Sequence, residues 1–141
     1  MKPAMWIMFL LVVLAPSCPP SKAPQYYYEQ GKIESGKTND YVAIKLFTRA
    51  IKLNPDYLEA YEQRAKVNLA VDSFPQAIAD YDSILNMKNL SVEQKGKYTY
   101  LKSKAYYLWN GLDSTYCKLL NEACDGYGHN KSCDLRRLYC K

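Results

Sequence analysis

The chain repeats itself every 34 residues. Tyr27, Gly31, Ala43, Ile44, Phe47, Ala50 and Ile51 recur as Tyr61, Ala65, Ala77, Ile78, Tyr81, Ile84 and Leu85, each pair at one offset and in one size class. A period of this length marks a two-helix unit that cannot bury its apolar face alone and must stack on a neighbour. The expected fold is therefore all-α, a row of helical hairpins.

The first unit spans about 25–56. Its second helix opens near Asn39 or Asp40, either of which suits an N-cap, and stops at Asn54-Pro55, where proline cannot continue the helix. The next unit spans 57–89. Asp72-Ser73 supplies its turn, and Pro75 falls in the first turn of its second helix, where a missing N–H costs nothing. An insertion from Asn86 to Gly96 then lengthens the linker and moves the offset to 39, so that Tyr61 matches Tyr100, Tyr81 matches Leu120 and Ile84 matches Ala123. A third unit over 97–130 follows, with helices over Lys97–Asn110 and Ser114–Cys124, and a short cap over 131–141 carries a helix from Ser132 to Tyr139. Three units are about the minimum for a stable stack.

Tyr61-Glu62-Gln63-Arg64-Ala65 and Gln76-Ala77-Ile78-Ala79-Asp80-Tyr81, at this spacing, resemble the tetratricopeptide repeat. The resemblance implies a short right-handed α-α superhelix of about three helix-turn-helix repeats plus a capping helix. Ala65 and Ala77 sit where the two helices of a unit come closest, and Phe47 and Tyr81 fill the space between units.

Cys117 and Cys124 are two helical turns apart, as are Cys133 and Cys140. In an antiparallel helix pair, residues whose numbers share a sum face each other. Cys117 with Cys140 and Cys124 with Cys133 do so; the crossed pairings would displace a helix by a turn or more. Ala123-Cys124-Asp125-Gly126, Cys133-Asp134-Leu135 and Leu138-Tyr139 resemble the cysteine-bridged Sel1-like repeats, which implies the same nested pairing. Structural zinc ligands come in closer pairs, so no metal is expected, and the lone His129 reads as a loop residue.

Residues 1–17 read as a signal peptide: Lys2, then the uncharged run Trp6 to Ala15, too short for the roughly 20 residues of a bilayer span. Leu14-Ala15-Pro16-Ser17-Cys18 resembles a bacterial lipobox, which implies that Cys18 is acylated. Ala15 and Ser17 also suit an ordinary signal peptidase, which would leave Cys18 as a thiol. Residues 18–24 form a proline-rich tether, and 25–141 the repeat domain. The expected location is the bacterial cell envelope, on the periplasmic side through a lipid anchor, or secreted or periplasmic without one. Four bridged cysteines agree with export.

Gly31-Lys32-Ile33-Glu34-Ser35-Gly36-Lys37-Thr38 matches the Walker A phosphate-loop pattern in letters. That loop needs a buried strand before it and a parallel sheet around it. Tyr26-Tyr27-Tyr28-Glu29-Gln30 stands there instead, and the segment reads as a helix with its turn at Gly36. No hydrolase motif is present, and a single histidine leaves little to act as a base. The chain reads as a non-enzyme, with no cofactor and no small-molecule substrate. The formal charge of +5 is spread along the sequence, which disfavours nucleic acid as a partner.

What remains is a surface. The tetratricopeptide resemblance places the groove on the first helix of each unit: Tyr28 and Lys32, then Glu59, Glu62, Lys66 and Leu69, then Tyr98, Leu101, Ala105, Leu108 and Trp109. Trp109 with Tyr106 or Tyr107 could equally pack beneath the cap. The expected function is a protein–protein interaction scaffold that holds an extended or helical segment in this groove. The alternative is an accessory subunit of a permanent envelope complex.

Overall fold

The computed structural model describes residues 22–140. The signal-like segment, Cys18 and most of the tether lie outside the described residues. Within them the chain forms seven helices and no strand: α1 Pro24–Gly36, α2 Asp40–Leu53, α3 Leu58–Ala70, α4 Phe74–Leu85, α5 Val92–Asn110, α6 Ser114–Asn121 and α7 Asn130–Tyr139. Each packs on the next, so α1/α2, α3/α4 and α5/α6 are the three hairpins and α7 closes the row. No described helix is long and apolar enough to cross a membrane.

Size matching makes the interfaces. Between the first two hairpins, Ala43, Phe47, Ala50, Ile51, Ala60 and Val67 are buried. A Cβ on Gly31 would lie 2.6 Å from Phe47 Cε1, so glycine there is what lets α1 approach α2. The next core joins Ala65, Ala77, Ile78, Tyr81 and Ile84 to Tyr98 and Ala105 of α5. One polar cluster is sealed in beside it. The Arg64 guanidinium donates to both carboxylate oxygens of Asp80 and, at 2.9 Å, to Thr48 Oγ1, while Asn68 donates to Asp80 at 3.3 Å. Asp80 is 2% exposed, so its charge is tolerated only through these partners.

The third unit departs from the expected bounds in three ways. First, α5 starts at Val92 rather than Lys97, because Ser91 and Gln94 form a reciprocal cap: Ser91 Oγ accepts from the Gln94 N–H at 3.1 Å, and Gln94 Oε1 accepts from the Ser91 N–H at 2.9 Å. Only the last five residues of the insertion, 92–96, are helix; residues 86–91 form the linker. Secondly, α6 does not stop at Cys124 but runs on from Asn121 through one π-helical turn, Glu122–Gly126.

The third departure is one of register. In α5 the fully buried small residue that answers Ala65 is Ser103, 38 places after it, whereas Lys104, 39 places after it, is exposed. Val67 corresponds likewise to buried Ala105. The second helix keeps the expected 39, with buried Leu120 and Ala123 answering Tyr81 and Ile84. The first helix of the third unit is therefore turned by one residue, about 100°, from its expected setting.

Two bridges tie down the carboxyl end. Cys117–Cys140 and Cys124–Cys133 are joined, with Cα separations of 5.6 and 4.9 Å. They are needed, because Ser132 is the only residue α7 buries fully, and Leu138 and Tyr139 are exposed. Gly96 lets the Tyr127–His129 segment lie against α5; a Cβ there would stand 3.0 Å from Tyr127 Cβ and 3.3 Å from His129 Cβ.

Candidate partner-binding groove

The register of α5 decides which side chains face the groove. Positions equivalent to Glu59, Glu62, Lys66 and Leu69 fall, at the corrected offset of 38, on Lys97, Tyr100, Lys104 and Tyr107. The contacts agree. Lys97 Nζ reaches Glu62 Oε2 at 3.1 Å, bringing the two first helices together on this face. Tyr98, Leu101 and Ala105, expected in the groove, are set a residue away and point inward. Tyr98 is 2% exposed and Ala105 fully buried, and Leu101 packs on the core. Leu108 and Trp109 are about half exposed, outside the corrected groove positions. Trp109 does not pack beneath the cap; Tyr107 reaches it, 5.3 Å from Tyr116, and Tyr106 lies on the core.

Corrected in this way, the three first helices present one lysine each at an equivalent place: Lys32, Lys66 and Lys104. The first two are internally paired, Lys32 with Glu29 at 3.2 Å and Lys66 with Glu62 at 2.9 Å. Among the described residues Lys104 pairs with no carboxylate.

Glu62 is the hub of the middle stretch. Burial works to raise its pKa, but hydrogen bonds from Tyr98 Oη at 2.6 Å, Lys66 and Lys97 outweigh burial and hold it down at about 2. Its charge is therefore permanent in neutral solution and already shared among three donors. Glu59, a helix turn earlier, is exposed. At the amino end Tyr28 is half-buried, its ring 5.1 Å from Tyr57 and 6.0 Å from Phe47, with Lys32 Nζ 5.4 Å from its centroid. Leu69 packs partly into the core.

At the carboxyl end the groove deepens into a cleft of about 200 Å³, with Tyr100, Lys104 and Tyr107 on one wall, Tyr116 from α6, and Leu135 and Tyr139 from α7 opposite. His129, expected to be a solvated loop residue, stacks on Tyr100 at 4.9 Å and caps α7 by accepting from the Ser132 N–H at 3.3 Å. Burial, then the nearby Lys131 charge, lowers its pKa.

The phosphate-loop letters fold as something else. Gly31 to Gly36 are helical; the N–H groups of Lys37, Thr38 and Asn39 are spent on the carbonyls of Glu34 and Ser35; and Lys37 Nζ is held by Glu34 at 2.9 Å. That leaves no ring of free N–H groups to cradle a phosphate. No group of three or more His, Cys, Asp or Glu among the described residues is placed to hold a metal ion.

The molecule so described is a short all-α stack of helical hairpins with a polar-to-aromatic groove. No family model matches the chain. Over 73 residues, 51% of the chain, it is 33% identical to serine/threonine-protein phosphatase 5 of Homo sapiens, and to the same protein of Rattus norvegicus and Mus musculus. The match spans 15% of the length of those relatives. With the helical-hairpin architecture it supports a tetratricopeptide-like repeat and, in general terms, a protein-interaction scaffold.

Proposed function

We propose that this chain is a protein–protein interaction scaffold of the bacterial cell envelope, exported by its amino-terminal segment and anchored in the membrane through acylated Cys18. The observation that carries the reading is the groove itself. The row of first helices offers exposed lysines and an exposed tyrosine, Lys32, Lys66, Lys104 and Tyr107, beside a carboxylate whose charge is already satisfied. Such a face suits an extended or helical protein segment. The lipobox-like Leu14 to Cys18 supports anchoring, and the two bridges suit an oxidising compartment. The phosphatase likeness spans so little of those enzymes that no catalysis is carried over. The reading is of a non-enzyme, without cofactor, metal or nucleic acid.

The test has two arms. The full chain expressed in a bacterium should sediment with membranes and take up labelled fatty acid, and Cys18→Ser should abolish both. Affinity purification from envelope extracts should recover a partner that the exposed substitution Lys66→Glu releases; equal recovery by both proteins would refute a role for the groove. The exposed apolar residues Tyr41 and Val42 on α2, and Leu138 and Tyr139 on α7, favour a second reading, an accessory subunit whose ends are covered by a permanent partner. A chain that aggregates when produced alone and runs as a defined complex when co-expressed with that partner would favour the subunit.

A further inference from the structure

We infer that the cleft between α5 and α7 is an anchor site for one aromatic or large aliphatic side chain of an acidic segment in a partner protein. The inference rests on the scaffold reading and names the chemistry of the partner. At about 200 Å³ the cleft is below the roughly 300–1,000 Å³ of small-molecule sites and suits a single side chain. Its walls are rings and aliphatic carbons of Tyr100, Tyr107, Tyr116, Leu135 and Tyr139, and Leu112 at its margin is 57% exposed. These groups would leave water on binding an apolar anchor.

Charge selects the flanks of that anchor. No carboxylate lines the cleft. Lys104 does, free of any acidic partner among the described residues, and Lys131 Nζ stands 5.4 Å from the centroid of Tyr100. Of the acidic residues next to the lining in sequence, Asp113 caps α6 and Asp134 pairs with Arg137 at 3.8 Å. An anchor flanked by Asp or Glu meets two free cations, and one flanked by Lys or Arg meets repulsion. A second copy of the same face is disfavoured for the same reason, since it would bring Lys104 and Lys131 of both copies together. The site also depends on the bridges. Leu135 and Tyr139 belong to α7, which buries only Ser132 fully and is stapled by Cys117–Cys140 and Cys124–Cys133.

The experiment uses the full chain, bridges oxidised, in detergent micelles, with amide NMR as the readout. The probes are three blocked peptides: Asp-Glu-Phe-Glu-Asp, Asp-Glu-Ala-Glu-Asp and Lys-Lys-Phe-Lys-Lys. The first should shift Tyr107, Leu112 and Tyr139, and the other two should bind at least about ten-fold more weakly. Lys104→Glu, an exposed change, should weaken the first peptide by about five-fold or more with unchanged helical content. Breaking Cys117–Cys140 by double serine substitution should remove binding while α2 to α4 keep their shifts. Shifts confined to the Lys32 and Lys66 stretch, equal binding of the basic peptide, indifference to Lys104→Glu, or self-association through the cleft on sedimentation would each overturn the inference. If the peptides miss the cleft while an envelope partner still binds and is released by Lys66→Glu, the cleft inference falls and the scaffold reading stands.

Discussion

Single residues set the spacing of this stack. Gly31 shows it most directly, because a methyl group there would press on the ring of Phe47, which is fully buried and cannot retreat. Alanine is the better helix former by about 1 kcal/mol, but overpacking costs about 1–3 kcal/mol. Gly31→Ala should therefore lower stability by about 1 kcal/mol and Tm by roughly 4 °C or more, read from thermal unfolding; an unchanged or raised Tm would contradict the packing described. Glu62 carries the pH dependence. Its folded pKa is held at about 2, below its usual 4.5, so its contribution is complete above about pH 5 and is lost as pH falls toward 2. The shift corresponds to about 3 kcal/mol at most. Asp80 opposes it: burial raises its pKa despite Arg64 and Asn68, so acid favours the folded state there. Comparing Glu62→Gln with the parent isolates the first effect, and the variant should lose less stability between pH 5 and pH 3 in denaturant titrations.

At the scale of the helix, register governs what a side chain can do. A one-residue slip in α5 moves Tyr98 and Ala105 into the core and puts Lys97, Tyr100, Lys104 and Tyr107 on the groove. The 34-residue period made the first two hairpins legible because their loops have equal lengths. It failed at α5, where the insertion changes the offset differently for the two helices of one unit, and matching the large residue Tyr61 to Tyr100 chose the wrong register. Two signals in the sequence could have corrected it: Ser91 and Gln94 at capping-box spacing, and Ser103, the small residue that replaces Ala65 at the close approach. The cysteine spacing was a firmer guide, since a bridge tolerates little error in position, and even the π turn at Glu122–Gly126 leaves both pairs joined. For α7 the bridges replace a core it lacks. Each contributes about 3 kcal/mol, less than additively because they are nested. Replacing all four cysteines by serine should detach α7 and lower Tm by roughly 5 °C or more, and circular dichroism should show loss of the last helix before the rest melts.

For the whole molecule, each hairpin buries its apolar face on a neighbour, so stability is shared along the row and weakest at the ends. The periodicity told of a surface rather than of chemistry, and the structure gives that surface a direction, from the polar stretch at Glu62 and Lys66 to the aromatic cleft at α7. The partner's identity was not legible, because recognition lies in exposed side chains that no packing rule constrains. The molecule is a repeat stack whose last wall is held by sulfur bridges, and hydrogen exchange of the full chain before and after reduction tests this directly. Reduction should strip protection from α7 and the end of α6, leaving α2, α3 and α4 protected nearly as before. Uniform loss across all helices, or unaltered protection at α7, would contradict it.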